Sequence, residues 1–357
     1  MKLKLEPSFC VRYSSKLSQC KECEDICFTD AIKCNEGSLG IFQENCISCG
    51  ACIGACPTEA LKLNSFSVKE FFFNFIKSDE KVISCKSNFI CLSAFNVEYL
   101  ISLALIKDTV LDLGHCEECS LKEPLFQKIE DTIDEANLIL SKTGDKRIKR
   151  EFVKKDSCKK EQKNSRRDIF RLFTPEGISQ NAQKMKEKAL SMQTSSISIS
   201  AKESLKKREK IIPDKRKLLY SVLKRVQKPK EYQKIKSDKI SFCSSKEIDD
   251  SCDNCSVCYR ICPSGALSSD FKGSVIFFDD MLCLKCKLCH DVCEKESIKI
   301  REFFDTKEFF EPTQTPLKRF NITRCNECGN LFTCEGGEKI CKRCKIEEDE
   351  ALNLWGT

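Results

Sequence analysis

Cysteine returns at every third position twice between residues 252 and 293. Cys252, Cys255 and Cys258 are followed by Cys262 and Pro263, and Cys283, Cys286 and Cys289 are followed by Cys293. Two thiols that close together are badly placed to bridge each other and well placed to hold one centre between them. A tight loop with a thiolate at every third residue wraps three corners of an iron–sulfur cubane, and the cysteine after the three-residue spacer points away to a second one. Cys252, Cys255, Cys258 and Cys293 are therefore expected around one 4Fe-4S cluster, and Cys283, Cys286, Cys289 and Cys262 around another. This crossing ties the two loops into one pseudo-symmetric unit. Metal binding then supplies folding free energy that so small a unit lacks in its core.

The segment 241–303 that carries these runs resembles a bacterial-type ferredoxin domain with two 4Fe-4S clusters. The resemblance implies a (βαβ)₂-like α+β fold and a one-electron carrier role. One departure is Glu294, where the family usually has proline after the fourth cysteine. That leaves the turn and its hydrogen bonding open, and the ligation unchanged.

An internal repeat extends the pattern to the N-terminus, since residues 10–63 follow the same plan as 252–300. In segment 1–66 the second half, Cys46, Cys49, Cys52, then Cys56 and Pro57, matches the ferredoxin pattern well. The first half has Cys20, Cys23 and Cys27 but Leu17 three residues before Cys20, where the family has cysteine. Cys46, Cys49, Cys52 and Cys27 are expected at one cluster. The other has Cys20, Cys23 and Cys56, with Cys10 as the favoured fourth ligand, Cys34 as its rival, and a three-ligand cluster or none as the remaining alternative.

Cysteine use sets the broader class. The chain has 28 cysteines in 357 residues, a usage that suits either a secreted disulfide framework or a metal protein. The opening sequence MKLKLEPSFC has no apolar leader, so a reducing, cytoplasmic compartment is expected. No stretch approaches the roughly 18 apolar residues of a membrane span, and the apolar runs at 71–76 and 99–106 are expected to be core helices. Residues 154–240 hold 26 Lys+Arg against 10 Asp+Glu, or +16, which leaves −9 on the rest of a chain whose net charge is +7. This polar, serine-rich stretch is expected to be a basic, largely flexible linker, with a helical pattern at 214–226 able to dock. Its few aromatics argue against nucleic-acid binding. The twin-arginine-like run at 165–170 has no apolar stretch after it and is taken as solvated linker.

Residues 80–153 alternate strand-like and helix-like runs. Strands are expected at 81–85, 108–114 and 146–153 and helices at 96–107 and 123–142, which favours a small parallel sheet. Cys85 ends the first of these strands, Cys91 follows it, and His115, Cys116 and Cys119 follow the second. Loops after adjacent parallel strands share one edge, where sites form. Cys85, Cys91, Cys116 and Cys119 are therefore a candidate fifth metal or iron–sulfur site, with His115 a loop residue or outer donor. In the tail, 318–357, Cys325, Cys328, Cys341 and Cys344 have the spacing of a zinc ribbon, with Cys334 spare. Rubredoxin-type iron uses the same geometry.

The fold class expected is thus α+β: two ferredoxin-like modules, a small central α/β domain, a basic linker and a zinc-ribbon-like tail. The chain has no GxGxxG and no P-loop, so nucleotide, flavin or nicotinamide binding of the familiar kinds is not indicated. Of its two histidines, His115 and His290, the latter lies inside a cluster loop and is expected to tune hydrogen bonding to sulfur. The expected function is a polyferredoxin-like carrier with four 4Fe-4S clusters, relaying single electrons to a dehydrogenase, hydrogenase or reductase. The alternatives are an oxidoreductase with its site in the central domain, and a cluster-bearing assembly or regulatory protein.

Overall fold

The computed structural model describes residues 1–116, 118–152, 210–334 and 336–355. The linker residues 154–209, with the run at 165–170, lie outside the described residues.

The chain opens with β1 (Leu3–Leu5), α1 (Glu22–Asp25), β2 (Ile32–Asn35), β3 (Ser38–Ile41), α2 (Ala51–Ala55) and β4 (Leu61–Leu63). β1 pairs antiparallel with β4, and β2 with β3. Alternation in Leu61-Lys62-Leu63 turns both leucines inward, where they pack with Leu3, Ile32 and Leu39 among Cys23 and Cys52. The apolar core of this module is therefore partly made of the cysteines themselves.

Helix α3 (Val68–Lys77) follows, started by Ser67, whose hydroxyl accepts from the amide of Glu70. Serine at this position satisfies an orphan donor of the first turn. The central sheet is parallel, in the order β5 (Val82–Ile83), β6 (Val110–Asp112), β7 (Lys149–Glu151). Between these strands run α4 (Val97–Ile106), capped by Asn96, and the long α5 (Lys122–Thr143). The βαβαβ order is the one expected from the sequence, with strands shorter than their apolar runs. α4 is buried nearly all round, including Glu98.

The described part of the basic stretch begins at residue 210. Helix α6 (Asp214–Leu223) packs on α4, and β8 (Lys234–Lys236) pairs with a strand beyond the second cysteine run. The folded region thus takes in residues 210–240, which the charge count had grouped with the linker. Leu219, Val222 and Leu223 are buried, and so are Lys215 and Arg216, because carboxylate and carbonyl oxygens wait for their charges.

The second cysteine-rich segment repeats the pairing of the first. β9 (Lys246–Ile248), α7 (Val257–Ile261), β10 (Leu267–Ser269), β11 (Val275–Asp279), α8 (Leu288–Asp291) and β12 (Ile298–Ile300) come in the same order. β9 pairs with β12 and β10 with β11, both antiparallel. β13 (Phe303–Asp305) is the partner of β8. Helix α9 (Lys307–Phe310) and β14 (Gln314–Arg319) follow, and β14 extends the β10–β11 hairpin to three strands. The tail is a hairpin, β15 (Ile322–Arg324) and β16 (Leu331–Thr333), and helix α10 (Lys342–Trp355). One apolar core runs from α3, α4 and α5 through Leu219 and Leu223 to Phe242, Met281, Phe304 and Phe309, joining the central domain to the second module.

Candidate metal centres and their arrangement

Three of the four cysteine loops have the same backbone. Between Cys46 and Cys52 the left-handed residues are Ser48 and Gly50; between Cys252 and Cys258, Asn254 and Ser256; between Cys283 and Cys289, Lys285 and Lys287. These are equivalent positions in the three loops. Left-handed turns at non-glycine residues cost about 1 kcal/mol each, so a loop with two of them needs a compensating partner. Amides then point at sulfur: Lys285 N donates to Cys283 Sγ at 3.4 Å and Ala60 N to Cys56 Sγ at 3.3 Å. The turn after the fourth cysteine is also common to all four runs, with Asp30, Glu59, Gly265 and Glu296 left-handed three residues beyond Cys27, Cys56, Cys262 and Cys293. Replacing proline by Glu294 therefore leaves this turn as it is elsewhere.

Each loop closes on a cavity with the crossed set of cysteines. Cys252, Cys255, Cys258 and Cys293 line one. Cys262, Cys283, Cys286 and Cys289 line a second. In the first module Cys27, Cys46, Cys49 and Cys52 line a third. Burial pushes the Cys258 and Cys289 thiols up to about 12. Such thiols stay protonated until a metal displaces the proton. Four convergent sulfurs, apolar walls and amide donors suit a 4Fe-4S cluster, which supplies one-electron redox chemistry when bound.

The fourth cavity bears on the departure at Leu17. It is lined by Cys10, Cys20, Cys23 and Cys56. Leu17 is 56 % exposed, and neither Gln19 nor Lys21 is left-handed, so this loop does not wrap as the others do. Buried Arg12 holds it instead, donating to the carbonyls of Ser18, Cys20 and Asn35. Cys10 precedes the 3-10 turn Val11–Tyr13 that carries Arg12, and it is buried. Cys34 approaches Cys23 from β2, where the hydrogen bond between them lowers the Cys34 thiol, and it does not line the cavity.

The inner cavities of the two modules face each other. Val11 packs with Leu288 and Val292, with Cys20 and Cys286 against the same small core. Gln19 N donates to Asp291 Oδ2 at 2.9 Å. Cys20 and Cys286 also border one polar cavity of about 500 Å³. α6 bridges the cavities that Cys20 and Cys286 line: Lys215 Nζ donates to Cys56 O at 2.8 Å, and Arg216 Nη1 to Cys283 O at 2.7 Å. Sequence reading missed both side chains, since Lys-Arg in a basic stretch looks like a solvated face. It also passed over the fully buried Cys243, which has no spacing signal.

In the tail, the sulfurs of Cys325, Cys328, Cys341 and Cys344 all lie within 4.8 Å of one another. Zinc–sulfur bonds of about 2.3 Å place tetrahedral thiolates at that kind of separation. The amide of Cys341, donating to Cys325 Sγ at 3.2 Å, brings that thiol down to about 6. Cys334 lies apart, hydrogen-bonded to Glu338. The tail rests on the second cysteine-rich segment, where Asn254 Nδ2 donates to Thr333 Oγ1 at 3.0 Å. The central sheet brings together the loops of Cys85, Cys91, Cys116 and Cys119, whose thiols lie within one another's electrostatic reach. His290 Nε2 lies 2.7 Å from Lys246 Nζ and is pushed down to about 4, first by burial and then by that ammonium.

Among the described residues, no helix is long and apolar enough to cross a membrane. No curated protein and no solved structure matches the chain. The 4Fe-4S binding domain family matches residues 39–62, the stretch that contains Cys46, Cys49, Cys52 and Cys56, so the chain carries an iron–sulfur binding segment of the ferredoxin kind and at least one 4Fe-4S cluster.

Proposed function

We propose that the chain is a polyferredoxin-like electron carrier. It holds four 4Fe-4S clusters in line, with a zinc ion in the tail, and delivers single electrons to a larger oxidoreductase in a reducing compartment. The order is Cys27/46/49/52, Cys10/20/23/56, Cys262/283/286/289, Cys252/255/258/293. The observation that carries this reading is the apposition of the two inner sites through Val11, Leu288 and the Gln19–Asp291 hydrogen bond. A continuous relay needs adjacent redox centres, and two modules joined only by a linker would not guarantee that. The outer sites are where partners would meet the chain, since Cys255 is exposed and Ile47, beside Cys46, is half exposed.

The test is anaerobic isolation of the full chain, with iron, sulfide and zinc measured per chain and stepwise reduction followed by EPR. At least about sixteen iron with about one zinc, and magnetic interaction between reduced centres, is the expected result. About eight iron, or four magnetically isolated clusters, would overturn the in-line reading.

A further inference from the structure

We propose that Cys85, Cys91, Cys116 and Cys119 hold a fifth cluster of the 4Fe-4S type, seated against the loop of Cys49 and Cys52 and exchanging single electrons with the cluster there. This rests on the reading of Cys27, Cys46, Cys49 and Cys52 as a cluster site.

The sheet places the four residues. Ile83 and Leu111 are register partners on adjacent parallel strands, so the chain leaves both at the same edge. Ser84 Oγ donates to Asp112 Oδ2 at 2.8 Å and ties the two exits together. Cys85 follows Ser84 directly. The turn Leu113–Cys116 closes through Cys116 N to Leu113 O at 2.9 Å. Cys116 is buried in the central core, with Cys91 packed against it. Cys85, Cys91 and Cys119 all act electrostatically on Cys116, which burial pushes up to about 12.

The spacing separates a cluster from a single metal ion. Among the described residues, only the tail cysteines form a group with all ligand atoms within 4.8 Å. The central four, like the four ferredoxin-like sets, do not form such a group. Thiolates at the corners of a cubane stand farther apart than those on one zinc ion. The sulfurs also have the donors that cluster thiolates require. Leu121 N donates to Cys119 Sγ at 3.4 Å, the same two-residue turn that links Lys285 to Cys283, and Ser93 Oγ donates to Cys91 Sγ at 3.2 Å. His115, the residue before Cys116, has its Nδ1 buried with no hydrogen-bond partner among the described residues. A cluster sulfide beside it would give an imidazole N–H a place to donate.

Two close approaches join this site to its neighbour. A Cβ on Gly54 would fall 2.3 Å from Ser93 O and 2.8 Å from Phe95 O, and one on Gly50 would fall 2.7 Å from Ile90 Cδ1. The Cys91 loop therefore lies directly on the helix that carries Cys52. The charge of Cys91 reaches Cys49, whose thiol is raised chiefly by burial. An electron passing across this contact oxidises one cluster by one unit and reduces the other by one, with no atom transferred.

The experiment uses the full chain, isolated anaerobically, as wild type, as the double variant Cys85→Ser/Cys116→Ser, and as the single variant Cys119→Ser. Wild type should hold about twenty iron and twenty sulfide with about one zinc. The double variant should lose about a fifth of the iron and sulfide and keep its zinc. Cys119→Ser should show the EPR signal of an oxidised three-iron cluster, and it decides the matter if the double variant fails to fold. About sixteen iron in wild type, unchanged by Cys119→Ser, would overturn the proposal, as would a second zinc lost in that variant. A Cys46→Ser/Cys49→Ser control separates the two readings. If it loses no iron, the neighbouring cluster assignment fails; if it loses iron and the central variants do not, only the fifth site fails.

Discussion

Arg216 Nε donates to Glu98 Oε1 at 2.5 Å, with both side chains buried. The same guanidinium reaches the carbonyls of Met281, Cys283 and Phe242, so one side chain from the basic stretch fastens the central helix to a cysteine loop of the second module. Glu98 Oε2 also lies 3.6 Å from the buried Lys215 Nζ, so removing the guanidinium leaves the carboxylate with that partner alone, and the cost is at most the roughly 3–5 kcal/mol of a broken buried pair. Arg216→Met should lower the unfolding free energy of the metal-loaded chain by up to that amount, read as a lower denaturant midpoint. Adding Glu98→Gln should recover part of the loss. Equal midpoints for the single and double variants would mean that the pair contributes nothing beyond packing.

The protonation of the thiols predicts how metal uptake depends on pH. Cys258, Cys289 and Cys20 are pushed from 9.0 to about 12, each first by burial, whereas Cys325 is held near 6, first by the Cys341 amide. A metal must displace the proton, so cluster assembly on the metal-free chain should strengthen as pH rises, and zinc uptake by the tail should do so as well, because Cys344 is raised by its hydrogen bonds to Cys328 and Cys341 although Cys325 is lowered. The same raised values mean that the folded metal-free chain keeps protons that the unfolded chain gives up. Its stability is therefore intact below about 9 and falls as pH rises toward 12. Zinc and iron loading followed between about pH 6 and 9 checks this, and loading of either metal that does not change with pH would count against it.

The contact at Gly54 predicts a steric cost. Gly54→Ala puts a methyl group against backbone oxygens that cannot rotate away. Overpacking of this kind costs about 1–3 kcal/mol. Thermal unfolding should show the loss, and the magnetic interaction between the reduced centres on either side of the contact should weaken as α2 is pushed off. An unchanged spectrum with lowered stability would separate the packing role from the electronic one.

What could be read from the sequence depended on whether a residue's surroundings are local. Three of the crossed cysteine sets could be proposed from spacing, because three thiols on one short loop can meet only around that loop, and each of these sets lines one cavity. Helix α4 falls within the run 96–107 whose apolar period marks it, whereas α3 starts at Val68, ahead of the apolar run at 71–76, at a Ser67 cap that the run alone did not mark. The left-handed turns at Ser256, Lys285 and Lys287 were not legible, because none of these residues prefers that conformation and the loop imposes it. Lys215 and Arg216 were illegible for a different reason. Their burial depends on Glu98, Cys56 and Cys283, which are distant in sequence. Leu17 marked the place where the pattern failed, and only the folded turn held by Arg12 brings Cys10 to the cavity.

That substitution gives the sharpest test of the first module. Cys10→Ser should leave three thiols at the Cys20/Cys23/Cys56 cavity and produce a three-iron EPR signal, with the iron content falling by about one per chain. Cys34→Ser should leave the iron content unchanged, since Cys34 does not line the cavity. Restoring the sequence pattern with Leu17→Cys should not rescue Cys10→Ser, because residue 17 faces solvent and the loop around Cys20 lacks the two left-handed turns that bring the first cysteine inward elsewhere. Rescue would mean that the loop can rewrap around a cluster, and that Arg12, with its hold on the carbonyls of Ser18 and Cys20, yields to the metal.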